Sequence, residues 1–210
     1  MKKFWLVLAA LPIFLAGCAE SYIVHINGFS EAEKAIWNKA AIYVAVDANS
    51  ENPIFAKEIK RKAEKMLSLH GYVPSAKEEL ADYRLSFEVG MDSREDTGYG
   101  YSHMPIWVGY GHYWNHYYGG YGMHVPYARS VYNQWLIMRV CDTGRLNPLR
   151  KGMVEWVGEA VTSRYRMDLR ESINYLLVGS FEYFGQDTKK RRTVTIDEND
   201  PRIKEIIEYR

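Results

Sequence analysis

Three stretches of alternating hydrophobicity lie in a row between two helical stripes, and this order limits the fold more than any other feature of the chain. Tyr83, Leu85, Phe87, Val89 and Met91 alternate with Arg84, Ser86 and Glu88. Successive strand residues face opposite sides, so a period of two predicts a half-buried strand. Leu136, Met138 and Val140 mark a second strand over 131–141. A third, over 153–162, carries Glu155 and Glu159 on its polar face. Before them, Asn52-Pro53 reads as a helix cap followed by proline in the first turn, and Phe55, Ile59, Ala63, Met66 and Leu67 follow at helical spacing. Gly71 closes that helix. After the strands, Asp168 and Glu171 repeat the capping-box spacing, and Leu169, Ile173, Leu176, Leu177, Phe181 and Phe184 form a second stripe, closed by Gly185. Consecutive strands on short connections favour antiparallel pairing. The expected class is α+β: a two-layer sandwich, mainly antiparallel sheet, with two amphipathic helices on one face.

Smaller elements flank this centre. Tyr22, Val24 and Ile26 predict a short strand broken by Asn27-Gly28. Ser30 and Glu33 have capping-box spacing and open a helix over 31–40. Ile42 to Val46 reads as a buried strand, Thr193 to Ile196 as a last strand, and Asp200-Pro201 as the cap of a terminal helix.

The N-terminus does not belong to this pattern. Lys2 and Lys3 precede an apolar run from Phe4 to Ala16, broken only by Pro12. The run is too short for a bilayer span of about 20 residues, but it suits a secretory signal. It ends in Leu15-Ala16-Gly17-Cys18, which resembles the lipobox of bacterial lipoproteins. That resemblance implies cleavage before Cys18, diacylation of the Cys18 thiol and acylation of the new N-terminus. Residues 1–17 are then a signal peptide, and 18–210 a single periplasmic domain. Loss of Lys2 and Lys3 moves the formal balance from +1 to −1. Neither value suits a general nucleic-acid binder, which needs a basic surface. Ala19, where Asp commonly means retention at the inner membrane in such lipoproteins, points to the periplasmic side of the outer membrane. With Cys18 acylated, Cys141 has no intrachain partner and reads as a small buried hydrophobe.

Residues 98–127 are an insertion of unusual composition. They hold eight Tyr, two Trp, four His and seven Gly, and no Asp, Glu, Lys or Arg. Rigid aromatic rings on a glycine-rich chain give contact area at small entropy cost, as in recognition loops. Tyr110, Tyr113, Trp114, Tyr117 and Tyr118 are the candidate binding residues, for a protein, a glycan or lipid headgroups. A self-packed hairpin extension is the plainer reading. A metal site is the third: His103, His112, His116 and His124 lie here, and His112 and His116 have the spacing of a zinc-protease helix. Tyr113 stands where the catalytic glutamate belongs, and an extended chain sets the two histidines roughly 13 Å apart at about 3.3 Å per residue. No cofactor and no metal is assigned.

Catalytic motifs do not emerge. Gly98-Tyr99-Gly100 and Gly109-Tyr110-Gly111 lack the rest of a phosphate loop, and there is neither a Walker lysine nor a nucleophile elbow. His25 and His70 read as structural, Glu155 and Glu159 as a solvated strand face, and Lys189 to Arg192 as a solvated helix exit, with contact to anionic headgroups as the sharper alternative. No catalytic residue is assigned.

Several short motifs point to one family. They are the lipobox, Ser21-Tyr22-Ile23-Val24-His25-Ile26-Asn27-Gly28-Phe29, His70-Gly71-Tyr72, Ala81-Asp82-Tyr83-Arg84-Leu85, Val154-Glu155-Trp156-Val157-Gly158-Glu159-Ala160, Phe184-Gly185-Gln186-Asp187-Thr188 and Asp200-Pro201-Arg202-Ile203. Together they resemble the bacterial lipoproteins of domain of unknown function 4136. The resemblance implies a lipid-anchored, periplasm-facing α+β domain. It carries no established activity, so no catalytic residue is transferred. The expected function is a non-enzymatic envelope binding or assembly module, held to the membrane through its lipid, with an envelope protein or glycan as partner. The alternative is a periplasmic metal-binding lipoprotein that uses the loop histidines.

Overall fold

The structure is a computed structural model that describes residues 21–30, 39–47, 50–103 and 122–208, with backbone alone at 98–103 and 122–127. Cys18 and the lipobox lie outside the described residues. So do residues 31–38, which hold most of the expected 31–40 helix.

Among the described residues seven strands form one sheet: β1 (Ser21–Ser30), β2 (Ala41–Val44), β3 (Val73–Ser75), β4 (Tyr83–His103), β5 (Gly122–Asp142), β6 (Val154–Arg164) and β7 (Arg192–Asp197). Their order is β3-β2-β4-β5-β6-β1-β7. β4, β5, β6, β1 and β7 pair antiparallel, whereas β2 runs parallel to both β3 and β4. Among the described residues there are three helices: α1 (Pro53–Leu69) and α2 (Leu169–Glu182) pack on the sheet, and α3 (Pro201–Glu208) packs on those two helices. The mainly antiparallel α+β sandwich is therefore the fold, with α3 as a third helix in its helical layer.

The period-two strands bury one face. Val24 and Ile26 of β1, Leu85 of β4, Leu136, Met138 and Val140 of β5, and Trp156 and Ala160 of β6 join one core with Ile59, Met66 and Leu67 of α1 and Ile173, Leu176 and Phe181 of α2. Full burial of a side chain such as Leu67 contributes about 1.5–3 kcal/mol. α2 goes further than its stripe predicts: every residue from Ser172 to Phe181 is buried. The sheet lies on one side of it and α1 and α3 on others, so its polar Ser172, Asn174 and Ser180 are enclosed along with its apolar residues. Gly179 permits the approach, because a Cβ there would sit 3.0 Å from Val24 Cγ1.

The caps form as the sequence suggests. Asn52 Oδ1 accepts from the Phe55 N–H at 3.0 Å, and Asp168 Oδ1 accepts from the Glu171 N–H at 2.9 Å. Gly71 and Gly185 take φ of +82° and +73°, the left-handed conformation that ends each helix segment. Asp168→Ala is expected to lower the unfolding free energy by about 1 kcal/mol, read from urea melts. An unchanged midpoint would mean that the cap contributes nothing.

Two expectations change. Asn27-Gly28 does not break β1, which runs on to Ser30. Gly28 instead sits directly across from Gly158, where a Cβ would fall 2.4 Å from the Gln186 carbonyl oxygen. The glycine marks a close approach inside a strand, not a turn. The buried strand at 42–46 ends at Val44, and α1 then returns the chain to β3, giving a parallel β-α-β unit.

Candidate functional site

β4 and β5 each contain 21 residues, far more than their neighbours need. β6 accompanies β5 only as far as Arg164, opposite Tyr132. Beyond it, β4 and β5 pair without a break from Arg94↔Val131 to His103↔Gly122, with no third strand among the described residues. Ten pairs at about 3.3 Å make a two-stranded ribbon roughly 33 Å long. Its root is charged, with Arg94, Glu95, Asp96 and Arg129, and its outer half, Gly98–His103 against Gly122–Tyr127, holds no charge at all.

The ends of the insertion are thus strands, which the glycine-rich composition hid. Tyr110, Tyr113, Trp114, Tyr117, Tyr118, His112 and His116 lie outside the described residues. His103 and His124 fall in the ribbon, where His124 pairs with Tyr101 and His103 with Gly122. Among the described residues no group of three or more His, Cys, Asp or Glu side chains is placed to hold a metal ion.

The ribbon's root is tied to the N-terminal end of β1. Arg164 Nη1 donates to the Ser21 carbonyl at 3.2 Å, and its guanidinium lies 3.8 Å from the centre of the Tyr22 ring. Tyr22 stacks on Tyr175 with ring centres 3.5 Å apart, and its hydroxyl donates to Glu171 at 2.6 Å. Burial and then the Glu171 hydrogen bond push the Tyr22 hydroxyl well above its ordinary pKa, so it stays a donor. Arg129, on the ribbon, lies 5.5 Å from the Tyr165 ring centre in the β6–α2 connection. The same connection sends the Arg166 carbonyl to Gln134 Nε2 at 3.2 Å.

The sheet face away from the helices carries a shallow groove of about 610 Å³. His25, Asp92, Asn133, Trp135, Glu159 and Arg191 line it. Trp135 lies over its cross-strand partner Gly90, where a Cβ would come within 2.2 Å of the indole. His25 Nδ1 is 3.1 Å from Thr193 Oγ1, and burial followed by the Arg191 charge lowers the His25 pKa, which favours the neutral ring. Glu159 accepts from Asn27 Nδ2 at 3.5 Å. The groove offers an aromatic platform and hydrogen-bonding groups. Its residues come from four strands and the turn before β7, so no local motif announced it.

Other expected residues have plain places. His70 caps α1, its Nδ1 donating to the Met66 carbonyl at 2.9 Å. Glu155 is not on a freely solvated face: its side chain is 15% exposed and ion-paired with Arg150. Cys141 is half-buried and has no disulfide, and burial pushes its thiol pKa up. The basic run splits, with Lys189 at a left-handed turn reaching Asp187 at 2.9 Å and Arg192 opening β7.

Compared with known proteins, the sequence matches no family model and no curated protein. Several solved structures show a distant likeness, three of them as follows. A PelC dodecamer from Paraburkholderia phytofirmans is 14% identical, over 78% of this chain and 98% of that one, with a TM-score of 0.43. A PDZ domain protein from Parabacteroides distasonis is 12% identical over 90% of this chain, which spans 42% of that one, with a TM-score of 0.48. A DUF4136 family protein from Bacteroides thetaiotaomicron is 18% identical, over 79% and 97%, with a TM-score of 0.40. The last bears the family name that the sequence motifs suggested, at a similarity too low to show membership.

Proposed function

We propose that this chain is a lipid-anchored, non-catalytic module of the bacterial envelope, held on the periplasmic side of the outer membrane, and that its ribbon is the contact arm. The lipobox at Leu15 to Cys18 supports the anchor, and Ala19 the outer membrane. The observation that carries the contact role is the unbroken pairing out to His103↔Gly122, ten pairs beyond the last β6 partner. A two-stranded ribbon is marginal on its own, and beyond Arg164 it has no third strand among the described residues, so its length is not what the sheet requires. Its two strands lead in sequence into the rest of the charge-free aromatic segment. Membership of the DUF4136 lipoproteins belongs to the same proposal, and the sequence motifs support it.

The test uses a photo-crosslinking amino acid placed at Tyr99 or Tyr127 in living cells, with Leu149 as the reference site. Leu149 is 92% exposed and sits in the β5–β6 turn at the opposite end of the sheet. Adducts to an envelope component from the ribbon, exceeding those from Leu149, are expected. Equal or absent ribbon adducts contradict the contact role.

A further inference from the structure

The strand directions place the anchor and the ribbon at the same end of the sheet. β4 runs toward the ribbon, β6 runs beside the returning β5, and β1 is antiparallel to β6, so β1 begins where the ribbon departs. The Arg164–Ser21 hydrogen bond fixes this at the atomic level, because Arg164 is also the partner of Tyr132 at the ribbon root. β5 and β1 flank β6, which sets them roughly 10 Å apart at about 4.8 Å per strand. Cys18 precedes Ser21 by three residues, a reach of at most about 10 Å. An acylated Cys18 therefore holds the ribbon end of the domain against the bilayer and keeps the β5–β6 turn about a strand length away.

We propose that the arm's contact is the headgroup zone of the leaflet that holds the Cys18 lipid, making the ribbon a second membrane attachment. This rests on the lipoprotein reading above and deepens it. The chemistry of the ribbon fits in order of distance from the domain. The charged root, Arg94, Glu95, Asp96 and Arg129, suits water and headgroups. The outer half offers Tyr99, Tyr101, Met123, Val125 and Tyr127, aromatic and apolar residues without charge, and tyrosine concentrates at membrane interfaces. At the same end Ile54, Tyr165 and Met167 are exposed, at 81%, 58% and 67%. The ribbon lies in the interface and does not cross it. Among the described residues its two edges have no further strand partner, and hydrocarbon cannot satisfy such backbone groups whereas headgroups and water can. Exposed Leu146 and Leu149 at the opposite end do not compete for the bilayer, because the short tether holds them away from it.

The full lipidated protein is reconstituted in vesicles of phosphatidylethanolamine and phosphatidylglycerol. An environment-sensitive dye is attached through Tyr101→Cys or, as reference, Leu149→Cys, each in a Cys141→Ser background. The acyl mass on Cys18 is measured first. The expected result is a blue-shifted Tyr101→Cys signal, quenched by lipids that carry a nitroxide near the headgroup, with no quenching at Leu149→Cys. Adding Tyr99→Glu and Tyr127→Glu is expected to abolish the quenching while the protein stays on the vesicles. Acylated, vesicle-bound protein with an unquenched ribbon overturns this inference and leaves the lipoprotein reading standing. Protein without acyl mass that fails to bind vesicles overturns both.

Discussion

Trp156→Ala is expected to lower the unfolding free energy by about 3–5 kcal/mol, the range for removing a large aromatic from a core that cannot collapse around the gap. The site gives the reason. Trp156 is 1% exposed, and its indole N–H donates to the Gln186 carbonyl at 3.1 Å. Phe184 meets the ring edge-on with centres 4.9 Å apart, and Phe181 stacks on Phe184 at 4.8 Å. The indole lies along its own strand, and the floor beneath it is the Gly28–Gly158 pair. A Cβ on Gly158 would come within 2.2 Å of the indole, and one on Gly28 within 2.4 Å of the Gln186 backbone. Removing the ring thus deletes area, a hydrogen bond and the contact that seats the end of α2 on the sheet. Gly28→Val tests the same joint from below. It meets backbone, not a movable side chain, so it is expected to cost at least as much as an overpacked core position, about 1–3 kcal/mol. Urea unfolding measures both. A loss under about 1 kcal/mol for Trp156→Ala would mean that this joint does not hold the two layers together.

Cys18→Ser is expected to move the protein from the carbonate-resistant membrane pellet to the soluble fraction and to remove the acyl mass from its N-terminal peptide. Each buried methylene contributes about 0.8 kcal/mol, so one chain holds marginally and several chains hold firmly. Carbonate washing separates that hold from a surface contact, because a ribbon resting among headgroups is stripped and acyl chains are not. The fold should be unaffected, since β1 begins at Ser21 and the core at Tyr22. Retention of Cys18→Ser in the washed pellet would show that another segment anchors the chain.

Much of the fold was legible because its signals are local. Period two at 83–91 and the stripe at 55–67 each report one element burying one face, the stripe at 169–184 marks a helix but not its burial on every side, and Asn52 and Asp168 mark helix starts by their own hydrogen bonds. Long-range features were not legible. Gly28 looks like a turn residue, and only its pairing with Gly158 beneath Trp156 shows why a glycine is needed within the strand. β3 has three residues and includes Pro74, too little pattern to signal its parallel pairing with β2. The insertion read as a loop because glycine and tyrosine at 98–103 show no alternation of polar and apolar groups. The strand there is set by continuing a register that begins at Tyr83↔Asp142. The groove on the open sheet face joins His25 to Arg191 across most of the chain, so its geometry had no sequence signature.

The central claim is that the domain is complete without the outer ribbon and that the ribbon makes the contact. Thr97 and Ala128 are cross-strand partners, so a two-residue Asn-Gly turn can replace residues 98–127 and close the hairpin. The measurement is in-cell crosslinking of this shortened chain against the intact one, with thermal unfolding of both as the control. The account predicts an unchanged melting temperature and the loss of the envelope adducts, whether to lipid, protein or glycan. An unchanged set of adducts, with the fold intact, would contradict it and move the contact to the sheet face and helices.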